Sequence, residues 1–162
     1  MPSRTPPTPG SPLARTERLV LAGIARGRTN PQIARDLHLS VHTVRSCITT
    51  TAARLDCPST RVSVVVEAYR QSVLADLPAE PRPTVDLQQR EHDLLEDIAV
   101  NLTARQIGRR RYMSEDAVKC ALHRMFRRLG AHSREHAIAL AVQHGHLTLT
   151  LITTTDQAGA AA

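Results

Sequence analysis

Apolar residues recur along this chain at the three- and four-residue spacing of helices that bury one face. Val20, Leu21, Ile24 and Ala25 form the first such stripe, and Gly27 follows it as a left-handed C-cap. Thr29 and Gln32 have capping-box spacing. They open a short second helix that turns Ile33 inward, with Pro31 in the first turn, where its missing N–H costs nothing. Ser40 caps a third, longer helix after only a short turn, and a fourth begins near Arg61. LTLTLI, at 147–152, breaks the pattern with the alternation of a strand.

The pattern then repeats. A shift of 74 residues superposes Leu13 on Leu87, Glu17 on Glu91, Leu21 on Leu95, Thr29 on Thr103, Gln32-Ile33 on Gln106-Ile107, Ser40 on Ser114, Val44 on Val118 and Arg54-Leu55 on Arg128-Leu129. Asn101 takes the C-cap position, and a fourth helix restarts near Arg134. A period this long marks a duplicated domain, and DLPAEPRPT, with three prolines, separates the copies. The expected architecture is all-α. It comprises a disordered N-terminal tail at 1–11, a four-helix domain at 12–74, a proline-rich linker at 75–84, a second four-helix domain at 85–147 and a C-terminal tail at 148–162. In each copy a short helix, a tight turn and a longer helix make a helix-turn-helix, and Ala34 or Gly108 lets the two helices approach closely.

Charge narrows the choice of partner. The net charge is +6, and Lys119 is the one lysine among 21 basic residues. Arginine forks onto phosphate and guanine edges, although a GC-rich coding sequence would enrich it too. The first copy holds nine arginines against four acids, or +5; the second holds nine arginines and one lysine against eight acids, or +2. In the second copy Glu91, Asp93, Glu96 and Asp97 gather in the first helix, while Lys119, His123, Arg124, Arg127 and Arg128 lie on the third. Glu115 and Asp116 suit a helix N-terminus but would meet phosphate unfavourably, and the arginine run at 109–111 reads equally well as a solvated face. There is no apolar run near 18 residues and no basic-then-apolar leader, so no membrane span is expected and the expected setting is cytoplasmic. Cys47, Cys57 and Cys120 are odd in number, without a C-x-x-C, and read as reduced thiols. His132 and His136 have no third ligand nearby and read as solvated or capping, so neither a metal nor a cofactor is expected.

These residues resemble the LuxR-type (GerE-like) DNA-binding domain, twice in tandem. LQQREHDLLEDIA and LGAHSREHAIALA in the second copy, and IARGRTNPQIARDLHLSVHTVRS in the first, carry the resemblance, which covers about 125 of the 162 residues. It implies that the third helix lies in the major groove of double-stranded DNA. Arg45, Ser46 and Thr49 would then face base edges, as would Lys119, Cys120 and His123 in the second copy. Thr29, Asn30, Ser40, His42, Thr43, Thr50, Arg54, Thr103, Ser114, Arg124, Arg127 and Arg128 would reach phosphate. Thr49, Thr50 and Thr51 are costly in a helix, and a place on or beside this outward face would explain them: a hydroxyl can bond phosphate or a base edge, and the methyl can touch thymine. The fourth helix commonly makes the dimer contact in this family. Val62, Val64, Val66 and Tyr69 are therefore expected to pack against Ile138 and Val142 of the same chain, or against a second molecule.

The sequence departs from the family at Cys47, Thr51 and Asp56, and LDCPSTR is one residue longer than its counterpart. Arg111 stands where Leu37 points into the first core, so it must reach solvent along its own stem or the helix must end early. The leading functional expectation is a DNA-binding transcriptional regulator of bacterial type, with no residues left here for a receiver or ligand-binding domain. The proline-bearing linker could span roughly 30 Å, close to the ~34 Å between half-sites one turn apart, which leaves direct and inverted arrangements open. The alternative is an interaction module docking on RNA polymerase, a sigma factor or another regulator, favoured by the acidic helix and the missing family residues. An enzyme has no support, since there is no Gly-rich phosphate loop, no nucleophile with a matched base and no carboxylate pair in an obvious cleft.

Overall fold

The computed structural model describes residues 7–149; the expected tails at 1–6 and 150–162 lie outside the described residues. Among those described, the structure is entirely helical. The first copy contains α1 (Arg15–Ala25), α2 (Asn30–Asp36), α3 (Val41–Leu55) and α4 (Arg61–Arg70). The second contains α5 (Gln89–Ala99), α6 (Ala104–Arg111), α7 (Glu115–Leu129) and α8 (Arg134–Gln143). No strand forms over 147–149. Leu147 and Leu149 are buried instead, and the Leu147 N–H donates back to the Ala141 carbonyl near the end of α8 at 3.1 Å. Residues 150–152 of that stretch lie outside the described residues.

The caps follow the sequence. Thr29, Ser40, Thr60, Thr103, Ser114 and Ser133 each accept from the backbone N–H three residues on. Helices α1 and α5 have no such cap, and a glutamate one turn in replaces it: Glu17 accepts from the Ala14 N–H at 2.7 Å and Glu91 from the Gln88 N–H at 2.9 Å. Each glutamate also holds an arginine from the end of the third helix. Arg54 Nε lies 3.4 Å from Glu17, and Arg128 Nη1 is 2.6 Å from Glu91. The same arginines donate to the Pro12 carbonyl at 3.2 Å and the Asp86 carbonyl at 2.6 Å, so one bridge fastens the chain entry to the recognition helix in both copies. Arg54 also draws in the expected tail: its side chain donates to Ser11 Oγ at 2.7 Å, and its carbonyl accepts from the Gly10 N–H at 2.8 Å.

The helix-turn-helix is identical in form in the two copies. His38 and Tyr112 take the left-handed conformation, with φ of 54° and 55°, and Leu39 and Met113 donate back to Ala34 and Gly108 at 2.8 Å. A Cβ on Gly108 would sit 2.6 Å from the Met113 carbonyl oxygen, which explains the glycine.

The copies pack on each other through α4 and α8, and reciprocally α1 meets α8 while α4 meets α5. That reciprocity is the signature of a twofold-like contact in which equivalent surfaces face each other. Arg61 pairs with Glu135 at 3.2 Å near the two helix starts, and Gln143 Nε2 donates to the Tyr69 hydroxyl at 2.9 Å near the two ends, so the helices run in the same sense. Val62, Val64, Val66 and Ile138 are buried, and Tyr69 and Val142 half-buried. Helix α4 thus packs against the second copy of the same chain, with Tyr69 meeting Gln143.

The linker is not the extended spacer that its prolines imply. Glu80 at its middle pairs with Arg26 of α1 at 3.4 Å and with His136 of α8 at 2.9 Å, and its backbone bonds Gln143 and His144. His136, expected to be solvated or capping, is 1% exposed. Its Nδ1 accepts from the His132 N–H at 3.2 Å, which puts the ring proton on Nε2, donating to Glu80. Gly27, with φ of +74°, lies against the same ring, where an added Cβ would stand 2.6 Å from Nδ1.

Two outcomes follow from this junction. Gly27→Ala should cost at least about 1–2 kcal/mol from the left-handed conformation alone, plus the clash with His136. Its melting temperature should fall further than that of Gly145→Ala, which shares the conformation (φ +75°) but points into open space. Second, burial lowers the His136 pKa below its ordinary 6.5 by more than Glu80 raises it. Burial would raise the Glu80 pKa, but bonds from His136, Arg82 and Arg26 outweigh it and the net direction is down. Both groups bind protons more readily when unfolded, so their contribution is present above their unfolded values and is lost as pH falls through the folded ones. Melting curves should show stability declining below about pH 6.5, and the decline should be shallower in His136→Gln.

Candidate nucleic-acid interface

Helix α3 divides cleanly. Val44, Ile48, Thr51, Ala52 and Leu55 face the core, while Arg45 and Thr49 are exposed on the opposite side with Ser46 half-buried beside them. The three threonines therefore play three parts. Thr51 is 2% exposed and belongs to the core. The Thr50 hydroxyl donates to the Ser46 carbonyl at 2.9 Å, and Thr49 donates to the Arg45 carbonyl at 3.3 Å. Spending the donor on its own helix leaves each of these two hydroxyls with lone pairs for an incoming donor. Arg45 makes no ion pair among the described residues.

Around α3, Thr29, Ser40 and His42 are exposed and Thr43 half-buried. The Ser40 and Thr43 hydroxyls bond each other at 2.8 Å, and the Thr29 hydroxyl lies 3.1 Å from Gln32 Oε1 within its capping box. Asn30 and Arg54 are already engaged. Asn30 Oδ1 accepts from Arg61, whose second nitrogen reaches the Arg28 carbonyl at 2.6 Å, and Arg54 holds Glu17. Arg134 makes the matching bond in the second copy, to the Leu102 carbonyl at 2.8 Å. Both arginines at the start of the fourth helix thus clamp the loop ahead of the second, a role that the sequence alone did not bring out.

On α7, Lys119, Cys120 and His123 are exposed, as are Arg124 and Arg127. Lys119 is not free: its ammonium lies 2.8 Å from Glu115 and 3.9 Å from Asp116. The hydrogen bond between Lys119 and Glu115 raises the pKa of the lysine and lowers that of the carboxyl. Arg128 is drawn to Glu91, whereas Thr103 and Ser114 keep exposed capping positions. All six expected base-facing residues therefore lie on outward or half-outward positions, but the two copies differ in how much positive charge stands uncompensated there.

The family description "Bacterial regulatory proteins, luxR family" matches residues 11–75 and, a second time, residues 85–141. The chain belongs to this family. No curated protein and no solved structure matches it. No helix among the described residues is long and apolar enough to cross a membrane.

Within this LuxR-family pair of domains, α6 does not end before Arg111, whose side chain is 26% exposed and meets acids on its way outward. Arg111 donates to Asp97, which is 1% exposed, at 2.7 and 3.1 Å, and to the Asp93 carbonyl at 3.1 Å. Arg110 adds a contact to Asp97 at 3.5 Å. Asp97 and Arg111 occupy the positions of Gly23 and Leu37 in the first copy. A buried ion pair has thus replaced a small and an apolar residue together. The paired departure at a 74-residue spacing was the available signal, because neither residue alone is tolerable.

Asp97→Ala should therefore destabilise the protein by about 1.5–3 kcal/mol, since it removes two charge-assisted hydrogen bonds and leaves Arg111 to Asp93 alone. The double variant Asp97→Ala/Arg111→Leu, which approximates the first copy, should recover most of that loss. A double-mutant cycle in urea measures the coupling directly.

Proposed function

We propose that the chain is a DNA-binding transcriptional regulator acting as a covalent pseudo-dimer, with α3 as the principal major-groove reader and α7 as a weaker second. The observation that carries this reading is Arg45, exposed and without an ion pair among the described residues, beside Thr49 on the outward face of α3 in the copy of charge +5. A free guanidinium can fork onto guanine, and Thr49 offers an acceptor and a methyl one turn away. Ser46 completes the first reading set; Lys119, Cys120 and His123 form the second, weakened by Glu115 and Asp116. Thr29, Ser40, His42, Thr43 and Thr50 would contact phosphate on one side, and Thr103, Ser114, Arg124 and Arg127 on the other. Arg54, Arg128 and Asn30 act chiefly by holding these elements in place.

The twofold-like α4–α8 contact favours two half-sites in inverted orientation over a direct repeat. The acidic face of α5, which favoured the docking alternative, has an internal explanation: Glu91 serves Arg128, and Asp93 and Asp97 serve Arg111.

Selection of bound fragments from a random DNA pool by the purified chain should enrich an inverted pair of unequal half-sites. Arg45→Ala should weaken the best site by about 1–3 kcal/mol and relax preference at one position of the stronger half, with a smaller effect for Lys119→Ala. Binding should weaken steeply with salt as counterions are released. Absence of any enriched site at low ionic strength would overturn the proposal.

A further inference from the structure

The second copy contains a cavity of about 430 Å³ between α5, the helix-turn-helix turn and α7. That volume lies in the range of small-molecule sites. The first copy supplies an internal control. There α1 packs directly on α2 and α3, whereas among the described residues α5 makes no comparable packing on α6 or α7. Leu37, Leu39 and Cys47 are replaced by Arg111, Met113 and Ala121; Met113 and Ala121 still pack against the core, so the change of character is at Arg111. The Asp97–Arg111 pair stands where the first copy closes its core with Gly23 and Leu37, and the space beside it is left open.

The walls define a chemistry. Leu94, Met113 and Ala121 give an apolar surface. Four arginines, Arg90, Arg111, Arg124 and Arg128, line the rest together with Glu91 and Asp93. Arg111 is held by Asp93 and Asp97, and Arg128 by Glu91, while Arg90 and Arg124 are exposed and have no acidic partner among the described residues. Two uncompensated guanidinium groups beside an apolar wall suit a ligand with an acidic group at one end and a hydrocarbon or aromatic body at the other.

We propose that this cavity is a binding site for a small amphiphilic anion, with Arg90 and Arg124 taking the acidic group and Leu94, Met113 and Ala121 taking the apolar body. The site shares Arg124 with the proposed phosphate contacts, but its walls are argued from the contrast between the copies and its test uses no DNA.

The probe is 1-anilinonaphthalene-8-sulfonate, titrated by fluorescence into the full chain, with its uncharged analogue N-phenyl-1-naphthylamine beside it. The sulfonate should bind saturably, one per chain, and the neutral analogue about tenfold more weakly or worse. Ala121→Leu should weaken binding by narrowing the cavity at its apolar wall, with a melting curve to verify that the variant folds. Arg90→Ala/Arg124→Ala, which changes exposed side chains, should weaken the sulfonate about tenfold and leave the neutral analogue unchanged. Equal binding of the two probes, non-saturable binding, or indifference to the arginine pair would each overturn the proposal.

Discussion

The burial of α4 against α8 is the constraint on which the rest of this molecule rests. A domain of some 60 residues buries too little surface to be more than marginally stable by itself. In α8 every residue from His136 to Ala141 is buried, so this helix has no solvated face along that run and must be covered from more than one side. Its own domain covers one side, and α1 and α4 of the first copy cover another. The two copies therefore share a packed junction rather than meeting only through the linker. Because a linker only has to join what is already docked, its prolines and Glu80 serve as a strap across the junction.

Local signals carried most of the fold. Caps, turn residues and the three- and four-residue apolar spacing located all eight described helices, because each depends on residues within one or two turns. The LTLTLI alternation misled because period alone does not create a strand without a partner edge; Leu147 and Leu149 find the helical core instead. The docked linker and buried His136 were illegible for another reason. Both depend on contacts between residues more than fifty positions apart, such as Glu80 with His136 and Arg26, and no local pattern encodes those.

The candidate interface was legible as a face but not as a set of charges. The resemblance named the expected base-facing residues, and they lie on outward or half-outward positions, yet counting arginines overstated what is available to phosphate. Arg54 and Arg128 are consumed by Glu17 and Glu91, an arrangement present in both copies and therefore part of the shared scaffold. The resemblance named these positions as phosphate contacts, whereas the geometry gives them a positioning part. Arg128 already donates to a carboxylate and a backbone carbonyl, and Arg54 to Ser11 and a backbone carbonyl beside Glu17, so each has fewer donors left for a duplex.

What separates the two copies is how each one uses charge. In the first, Leu37 and Leu39 stand where the second has Arg111 and Met113, and Arg45 is exposed with no ion pair among the described residues. In the second, acids have entered both the core, at Asp97, and the start of the recognition helix, at Glu115 and Asp116, and each takes up a cation. An ion pair at a helix surface contributes little stability, so the cost of Glu115 falls chiefly on the availability of Lys119. The same chain thus holds one recognition helix whose charge faces outward uncommitted and one whose charge is partly spent at home. Under the proposed reading, the α4–α8 contact would let α3 carry α7 to its half-site, so that the second copy need not bind by its own affinity.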